Sequence, residues 1–250
     1  IFKTNIKLIT VWRNRKVDLF NLIKKEREYW LVDQHKVSHI QNIDYLVAFD
    51  QLLTEWKEQK VAYLSLLMDE ENEDWLLKRR CKKVSSIVEY TKTLQGPFKN
   101  TSDFQVDALS ESQVTDSDFA RLYDACRSGS ANKNKLFSIS QIMESLELEL
   151  GTNWRDQCFI FSRNGRNYGI SIPHIEQGTT EEGRMFYFGV VPEQREKGYG
   201  KIFHAISIEL LKTLGAKIYV GSTDTGNVPM RRIFETNGCV LRDIKGIYRI

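Results

Sequence analysis

The run Met185–Lys201, MFYFGVVPEQREKGYGK, decides the fold of this chain. Its first half is rich in aromatic and β-branched residues, which predicts a β-strand. Pro192 ends that strand because proline has no N–H to donate. The second half is charged and contains Gly198 and Gly200, which predicts a turn. From Tyr199 to Leu214 the apolar side chains follow helical spacing, so the turn opens directly into a helix.

A glycine turn that opens a helix attracts phosphate, because it presents free N–H groups and the positive end of the helix dipole. A P-loop needs Ser or Thr where Ile202 stands. A dinucleotide fingerprint needs glycine or alanine where Phe203 stands. The remaining pattern is R-x-x-G-x-G, formed by Arg195, Gly198 and Gly200. Its alternative interpretation is an ordinary strand–turn–helix with two turn glycines.

The residues on both sides of this run predict a continuous series of elements. Downstream, Ala216–Thr223 is predicted as a strand, and Val228–Thr236 as a helix with Asn227 as its N-cap. Val240–Ile250 follows as one or two final strands. Upstream, the predicted elements are a strand at Gln105–Leu109, helices at Asp116–Cys126 and Ser140–Leu150, and a hairpin of Cys158–Arg163 and Asn167–Ile172 around the turn dipeptide Asn164-Gly165.

This order of elements, with the R-x-x-G-x-G turn, resembles the GNAT superfamily of N-acetyltransferases over about Phe104 to Ile250. The resemblance implies an α/β (α+β) fold with a mixed, mostly antiparallel sheet of the GNAT type. Its two central parallel strands, here Met185–Val191 and Lys217–Ser222, are expected to splay apart. Acetyl-CoA is the acyl donor that the resemblance implies, bound in the gap between them and attacked directly by an amine.

The resemblance also implies which residues hold acetyl-CoA. The backbone of Val190 and Val191 is expected to form a bulge that pairs with the pantetheine arm, and an N–H there to polarise the thioester carbonyl. Asn227 matches the family's asparagine near that arm, although a pure helix cap is equally compatible with the sequence. The residues expected to cradle the pyrophosphate are Arg195, Glu196, Lys197, Gly198, Tyr199, Gly200 and Lys201.

The proton-transfer residues are less clear, because the chain departs from the family at one position. Many members place a tyrosine acid seven residues after the asparagine, and here that residue is Phe234. Tyr219 and Tyr187, on the splayed strands, are the remaining candidate acids, although both can equally be packing residues. Glu176 is the preferred candidate base. Other candidate bases are His174, Glu181 and Glu182.

The N-terminal portion is predicted as a smaller α/β domain, either a degenerate GNAT-like half or a helix-rich domain. A strand, an Asp-x-x-Asn turn, a helix and a β-rich run follow one another around Asp69–Asn72, as they do around Asp224–Asn227. Coincidence is the alternative. The elements predicted here are helices at Lys16–Trp30, Gln41–Lys57 and Glu73–Arg80, and strands at Val61–Met68 and Val84–Thr91. The predicted domains are residues 1–95 and 104–250, with residues 96–103 as a linker.

Composition narrows the class of protein. The 250 residues, 41% of them hydrophobic, suit one or two globular domains. No apolar run reaches about 18 residues, so no membrane span is expected. A net charge of +3 is too small to indicate a nucleic-acid partner.

Four widely spaced cysteines without a CxxC pair, and no visible signal sequence, favour a cytoplasmic location. His35 and His39 lack the glutamate of HExxH, which favours packing over a metal site.

The sequence therefore predicts an N-acetyltransferase that moves an acetyl group from acetyl-CoA to a primary amine of a small molecule or peptide. The alternative is a non-catalytic acyl-CoA-binding or interaction module with a decayed amine site, which Phe234 allows. The N-terminal domain is expected either to wall the acceptor site or to mediate homodimerisation. Acceptor choice depends on loops whose shape cannot be inferred from sequence.

Overall fold

The computed structural model describes residues 9–11, 17–25, 27–35, 37, 39–96, 102–132 and 138–250. These residues contain eleven strands and six helices. The strands are β1 (Ile9–Val11), β2 (Val17–Lys25), β3 (Tyr29–Gln34), β4 (Tyr63–Asp69), β5 (Lys82–Thr93), β6 (Gln105–Ala108), β7 (Phe159–Arg163), β8 (Arg166–Ile175), β9 (Glu182–Val190), β10 (Ile218–Asp224) and β11 (Val240–Arg249). The helices are α1 (Asn42–Glu58), α2 (Glu73–Lys78), α3 (Asp116–Arg127), α4 (Ile139–Leu150), α5 (Tyr199–Thr213) and α6 (Val228–Thr236).

The chain forms two compact units. The first comprises the described residues up to Ile87 together with Ile244–Ile250, and the second comprises Val88–Asp243. Strand β5 therefore begins in the first unit and ends in the second, and β11 does the reverse. Of the linker predicted at residues 96–103, residues 97–101 lie outside the described part of the chain.

The second unit is a mixed sheet with helices on both faces. Its strands lie in the order β5-β10-β9-β8-β7-β6. The pairings of β6 with β7, β7 with β8 and β8 with β9 are antiparallel, whereas β9 and β10 are parallel. Helices α3 and α4 pack on one face through Phe119, Tyr123 and Leu146. Helices α5 and α6 pack on the other through residues such as Phe203 and Phe234. This is the sheet type that the sequence predicts.

The β7–β8 hairpin shows why the turn residues matter. Asn164 and Gly165 have φ angles of 51° and 71°. A two-residue hairpin turn needs left-handed backbone at both positions, and Asn and Gly tolerate it best. The predicted hairpin is confirmed, and its turn sets the pairing of Arg163 with Arg166 between β7 and β8.

The first unit repeats part of this order on a smaller scale. The succession β3-α1-β4-α2 parallels β9-α5-β10-α6, and the residues that follow β4 and β10 fold alike. Asp69 accepts a hydrogen bond from the N–H of Glu71 at 3.1 Å, and Asp224 accepts one from Gly226 at 2.9 Å. Unlike β9 and β10, however, the parallel strands β3 and β4 pair over five consecutive residues, from Tyr29↔Tyr63 to Asp33↔Leu67. The first unit therefore has no gap between its parallel strands.

The helix predicted at Lys16–Trp30 is wrong, since the structure has β2 and β3 there instead. Phe20 and Ile23 are three residues apart and imitate a helical stripe, yet Phe20 is buried and Ile23 is 45% exposed. Burial in β3 alternates strictly, with Trp30 and Val32 inside. Pairing with neighbouring strands, which is non-local, overrides the local helical spacing.

Candidate functional site

The parallel strands β9 and β10 pair only where they begin. Two residue pairs connect them, Ile218↔Glu182 and Tyr219↔Gly183. Beyond Gly183, β9 continues for seven residues to Val190 without a described partner residue on β10. The two strands therefore diverge and leave a gap, whose closed end we call the vertex. This gap is the main feature that the sequence predicted for the site.

A β-bulge in β9 lies next to the vertex. The register against β8 passes from Pro173↔Met185 to Ile172↔Tyr187, so Phe186 is the extra residue. Phe186 and Tyr187, although adjacent, both pack on the α3 and α4 face, as the residues of a bulge do. The prediction that the bulge lies at Val190 and Val191 is wrong. Its position could not be predicted because it depends on pairing with β8.

The bulge decides which backbone groups face the gap. Before the bulge, the Glu182 carbonyl faces β8, because it accepts a hydrogen bond from the Glu176 N–H at 2.8 Å. After it, the Val191 N–H donates to the Tyr168 carbonyl at 3.0 Å, so odd-numbered residues now face β8. Because strand residues alternate, the N–H groups of Phe188 and Val190 point towards the gap. The Val190 amide therefore faces the gap, whereas the Val191 amide is directed towards β8.

The turn after β9 presents a row of free backbone donors. The N–H groups of Glu196, Lys197 and Gly198 donate to no group in the described part of the chain. Glu196 and Gly198 have φ angles of 62° and 79°, and such curled backbone forms anion-binding concavities. Helix α5 begins at Tyr199, where the first N–H groups have no partner within the helix. Glu196, Lys197 and Gly198 are exposed to solvent.

The predicted basic residues of the turn have different roles. The Arg195 guanidinium donates through Nε to the Val190 carbonyl at 3.1 Å and through Nη2 to the Cys126 carbonyl at 2.8 Å. Lys197 donates to the Glu193 carbonyl at 2.7 Å and to the Gln194 side chain at 3.0 Å. Arg195 therefore fastens the turn to β9 and to the end of α3. Lys201, exposed on the first turn of α5, remains the basic side chain best placed for an anion.

Gly200 lies where α5 meets the Ile233 side chain of α6. A Cβ at this position would lie 2.8 Å from Cδ1 of Ile233 on α6, which is closer than real Cβ atoms approach. The two glycines of the pattern thus differ: Gly198 supplies the left-handed turn, whereas a side chain at Gly200 would require the end of the Ile233 side chain to shift. Sequence alone does not separate these roles.

Asn227 caps α6, and its side chain is otherwise engaged. Its Oδ1 accepts from the Met230 N–H at 3.3 Å, and its Nδ2 donates to Thr223 Oγ1 at 2.9 Å and to Asn132 Oδ1 at 3.0 Å. Asn132 also accepts from the Thr223 hydroxyl at 2.9 Å. The helix-cap interpretation is therefore sufficient for Asn227. Asn132, between α3 and α4, was not predicted, because nothing local marks a loop residue that bonds to a distant strand end.

The two candidate tyrosines lie on opposite faces of the sheet. Tyr187 stacks on Tyr123 of α3, with ring centroids 4.2 Å apart. Tyr219 is 1% exposed and lies on the α5 and α6 face, where its hydroxyl is 3.1 Å from Nε2 of His204. Burial raises the pKa of both phenols, so both stay protonated at neutral pH.

Glu176, the predicted base, belongs to an ion-pair cluster beside the beginning of β9. Its carboxylate lies 3.6 Å from Nε2 of His174 and 3.3 Å from Nε of Arg184, and these partners lower its pKa. Arg184 also pairs with Glu182 at 2.7 Å and with Glu89 at 3.7 Å. A carboxylate held ionised by a hydrogen bond and an arginine is a weak proton acceptor. The lowered pKa therefore disfavours Glu176 as the base.

Two further features of the described residues bear on the sequence predictions. No helix among them is long and apolar enough to cross a membrane. Nowhere in the same residues do three or more histidine, cysteine or acidic side chains come together in a way that could hold a metal ion. The four cysteines are unpaired and buried.

Comparison with solved structures identifies the fold. The chain is similar to a GCN5-related N-acetyltransferase from Sphaerobacter thermophilus, with a TM-score of 0.67 and 10% identity, over 92% of this chain and 75% of that one. It is similar to a GCN5-related N-acetyltransferase from Kribbella flavida, with a TM-score of 0.56 and 10% identity, over 98% and 89% of the two chains. A tandem GNAT protein from the clavulanic acid biosynthesis pathway, solved without acetyl-CoA, gives a TM-score of 0.56 and 10% identity over 95% and 80%.

Protein-family models and curated proteins yield no match to the chain. The structural similarity nevertheless confirms the resemblance that the sequence indicated: this chain has the fold of the GNAT N-acetyltransferases. At such low identity the agreement concerns the backbone fold alone.

Proposed function

We propose that this protein transfers the acetyl group of acetyl-CoA to a primary amine. The observation that carries the proposal is the continuity of two binding features. The open gap, with its Phe188 and Val190 amides, runs directly into the turn with free amides at Glu196–Gly198. Coenzyme A has amide groups in its pantetheine arm and a pyrophosphate beyond them, so one linear ligand satisfies both features.

The roles of the residues follow from these features. The turn amides and Lys201 would hold the pyrophosphate through charge-assisted hydrogen bonds. The amides of Phe188 and Val190 would pair with the pantetheine arm, and one that faces the thioester carbonyl would stabilise its developing negative charge. The acceptor amine, as a free base, attacks the carbonyl carbon, and the C–S bond breaks. Four reduced, buried thiols fit the reducing compartment, the cytoplasm, that we propose for this reaction.

A second candidate function is acyl-CoA binding without transfer. It is favoured by Phe234, which is 1% exposed and offers no hydroxyl where the resemblance implies an acid. Binding and transfer are separated by two measurements on the full chain. Calorimetry with CoA tests binding, and thiol release from acetyl-CoA tests transfer against polyamines, amino acids, an aminoglycoside and a peptide with a free N-terminus.

We expect CoA binding and amine-dependent thiol release. Gly198→Trp, which places an indole over the turn, should abolish CoA binding. Binding without release on any of these amines would favour the second function. Unchanged CoA affinity in Gly198→Trp would overturn the assignment of the turn, and absence of CoA binding by the wild-type protein would overturn both functions.

A further inference from the structure

A buried chain of hydrogen bonds connects α6, α5 and β10. Asn237, just after α6, contacts Nδ1 of His204 through its Nδ2 atom at 2.9 Å. Nε2 of His204 is 3.1 Å from the Tyr219 hydroxyl. His204 is fully buried and Tyr219 is 1% exposed. Each polar group of a hydrogen-bonded chain this deep in a core needs a hydrogen-bond partner, and the identity of the partners fixes which group donates.

The direction is fixed at Asn237. Its Nδ2 atom also lies 3.0 Å from the Lys201 carbonyl, which only accepts, so this atom is the amide nitrogen. Asn237 therefore donates to Nδ1 of His204, and Nδ1 carries no proton. Burial keeps the ring neutral, since it lowers the pKa of His204 to about 3. The ring proton is consequently on Nε2, and His204 donates it to the Tyr219 oxygen.

Tyr219 must then direct its own proton elsewhere. The available acceptor is Sδ of Met185 at 3.9 Å, a weak one. Met185 lies on β9 just past the vertex, and the Tyr219 hydroxyl lies over Gly221, where β10 has left β9. The hydroxyl proton therefore points towards the flexible thioether of Met185, on the α5 and α6 face and beside the place where the two strands separate.

We propose that Tyr219 donates the proton to the CoA thiolate, and that His204 and Asn237 are positioning residues for it. This inference rests on the proposed function. The neutral amine forms the N–C bond, and the sulfur leaves with the electron pair of the C–S bond and takes the Tyr219 proton. The proton released from nitrogen restores the phenol. The Nε2–H of His204 stabilises the phenolate oxygen in the interval.

Tyr187 does not fit this role. Its ring stacks on Tyr123 on the opposite face of the sheet, and its hydroxyl lies over Gly189, further along β9 from the vertex. Phe234 touches the same space over Gly221 but has no proton to give. Tyr219 is therefore the hydroxyl that the fold brings to the vertex.

The first test compares Tyr219→Phe with Tyr90→Phe in the full chain. Tyr90 is in the same core, and its hydroxyl bonds to Glu235 at 2.8 Å, so it controls for loss of a core hydroxyl. For Tyr219→Phe we expect kcat to fall about 10²-fold or more, with the KM for acetyl-CoA within about twofold. The pKa of the bound CoA thiol, titrated by thiolate absorbance, should rise by about 1 unit or more, because the thiolate loses a hydrogen bond. Tyr90→Phe should change neither quantity.

The second test addresses the positioning residues. Asn237→Ala frees His204 to change tautomer, so kcat should fall about 3- to 10-fold and the bound thiol pKa should rise less than in Tyr219→Phe. Both effects should vanish when Asn237→Ala is added to Tyr219→Phe, because the group being positioned is gone. A purely structural effect of Asn237 would persist in the double variant and would overturn its positioning role.

The outcomes separate this inference from the proposed function. An active wild-type protein with unchanged kcat and thiol pKa in Tyr219→Phe would overturn the role of Tyr219 alone. A raised thiol pKa in Tyr219→Phe without turnover by the wild type would support the contact between Tyr219 and the sulfur, and would overturn transfer. Failure of the wild type to bind CoA would overturn both.

Discussion

Replacing Gly198 by alanine is the most direct perturbation of the turn between β9 and α5, which we propose binds the pyrophosphate. Gly198 has a φ angle of 79°. An added Cβ would meet only Cε of Lys201 at 3.8 Å, so there is room for it. The cost is therefore backbone strain, about 1–2 kcal/mol for a left-handed alanine. For a chain of this size that lowers Tm by about 2–8 °C.

The same substitution should weaken CoA binding. Alanine relieves its strain by moving φ towards negative values, which turns the amides around Gly198 away from their common centre. Loss of one hydrogen bond to a charged phosphate costs about 1.5–3 kcal/mol, or roughly a 10- to 100-fold increase in Kd. Gly215→Ala is the matched control. Gly215 has a φ angle of 95° with nothing within 4 Å of an added Cβ, and it lies at the other end of α5.

Thermal unfolding and calorimetry with CoA measure the two effects on the same samples. Both variants should lower Tm by similar amounts, and only Gly198→Ala should raise the Kd for CoA. CoA affinity that stays at the wild-type value in both variants, although both are destabilised, would refute the role of the Gly198 turn in holding the ligand. An equal loss of affinity in both would show that strain in α5, rather than the amides of the turn, controls binding.

Three further predictions concern stability. A chain beginning at residue 104 should show no cooperative melting by circular dichroism. It lacks strand β5 and the adjacent Leu94, whose N–H donates to the Lys217 carbonyl at 2.8 Å. A sharp melting transition would contradict this prediction. Burial lowers the pKa of His204 from 6.5 to about 3, so its contribution to stability is present at pH 7 and falls as the pH drops below 6.5. Urea unfolding should show about 2.5 kcal/mol more loss from pH 7 to 4.5 in wild type than in His204→Phe. Equal losses would argue against the buried neutral ring. Hydrogen bonding by His174 and the charge of Arg184 lower the pKa of Glu176. Wild type should therefore have a higher Tm than Glu176→Gln at pH 7, and this difference should disappear as the pH falls to 3. A difference in Tm that persists at pH 3 would exclude this ion pair as its source.

Local sequence patterns predicted most strands and helices of the second unit, because the residues that begin and end these elements act on their immediate neighbours. Pro192 and Gly198 end β9 and open α5 through their own backbone preferences, and Asn164-Gly165 sets a hairpin for the same reason. The N-terminal strands were missed at Lys16–Trp30, where apolar spacing imitates a helix. Whether such a segment pairs as a strand depends on partners that lie far away in the chain.

The candidate site was predicted in outline and refined by the structure. The turn and the gap were expected, but the bulge lies at Phe186, and Arg195, expected among the residues that cradle the pyrophosphate, donates to the carbonyls of Val190 and Cys126. Asn132 and His204 were not predicted as partners of site residues. Their roles depend on which strand or helix each one meets.

The amino-acid sequence by itself determined the turn that follows β9, the helix that it opens and the class of fold, because proline, glycine and hydrophobic spacing act on neighbouring residues. Only the tertiary structure decided that β9 and β10 separate after two residue pairs, which amides face the resulting gap, and that the Tyr219 hydroxyl lies beside His204 and Met185. Register and hydrogen-bond direction arise from pairing between distant segments, and no single stretch of the sequence encodes them.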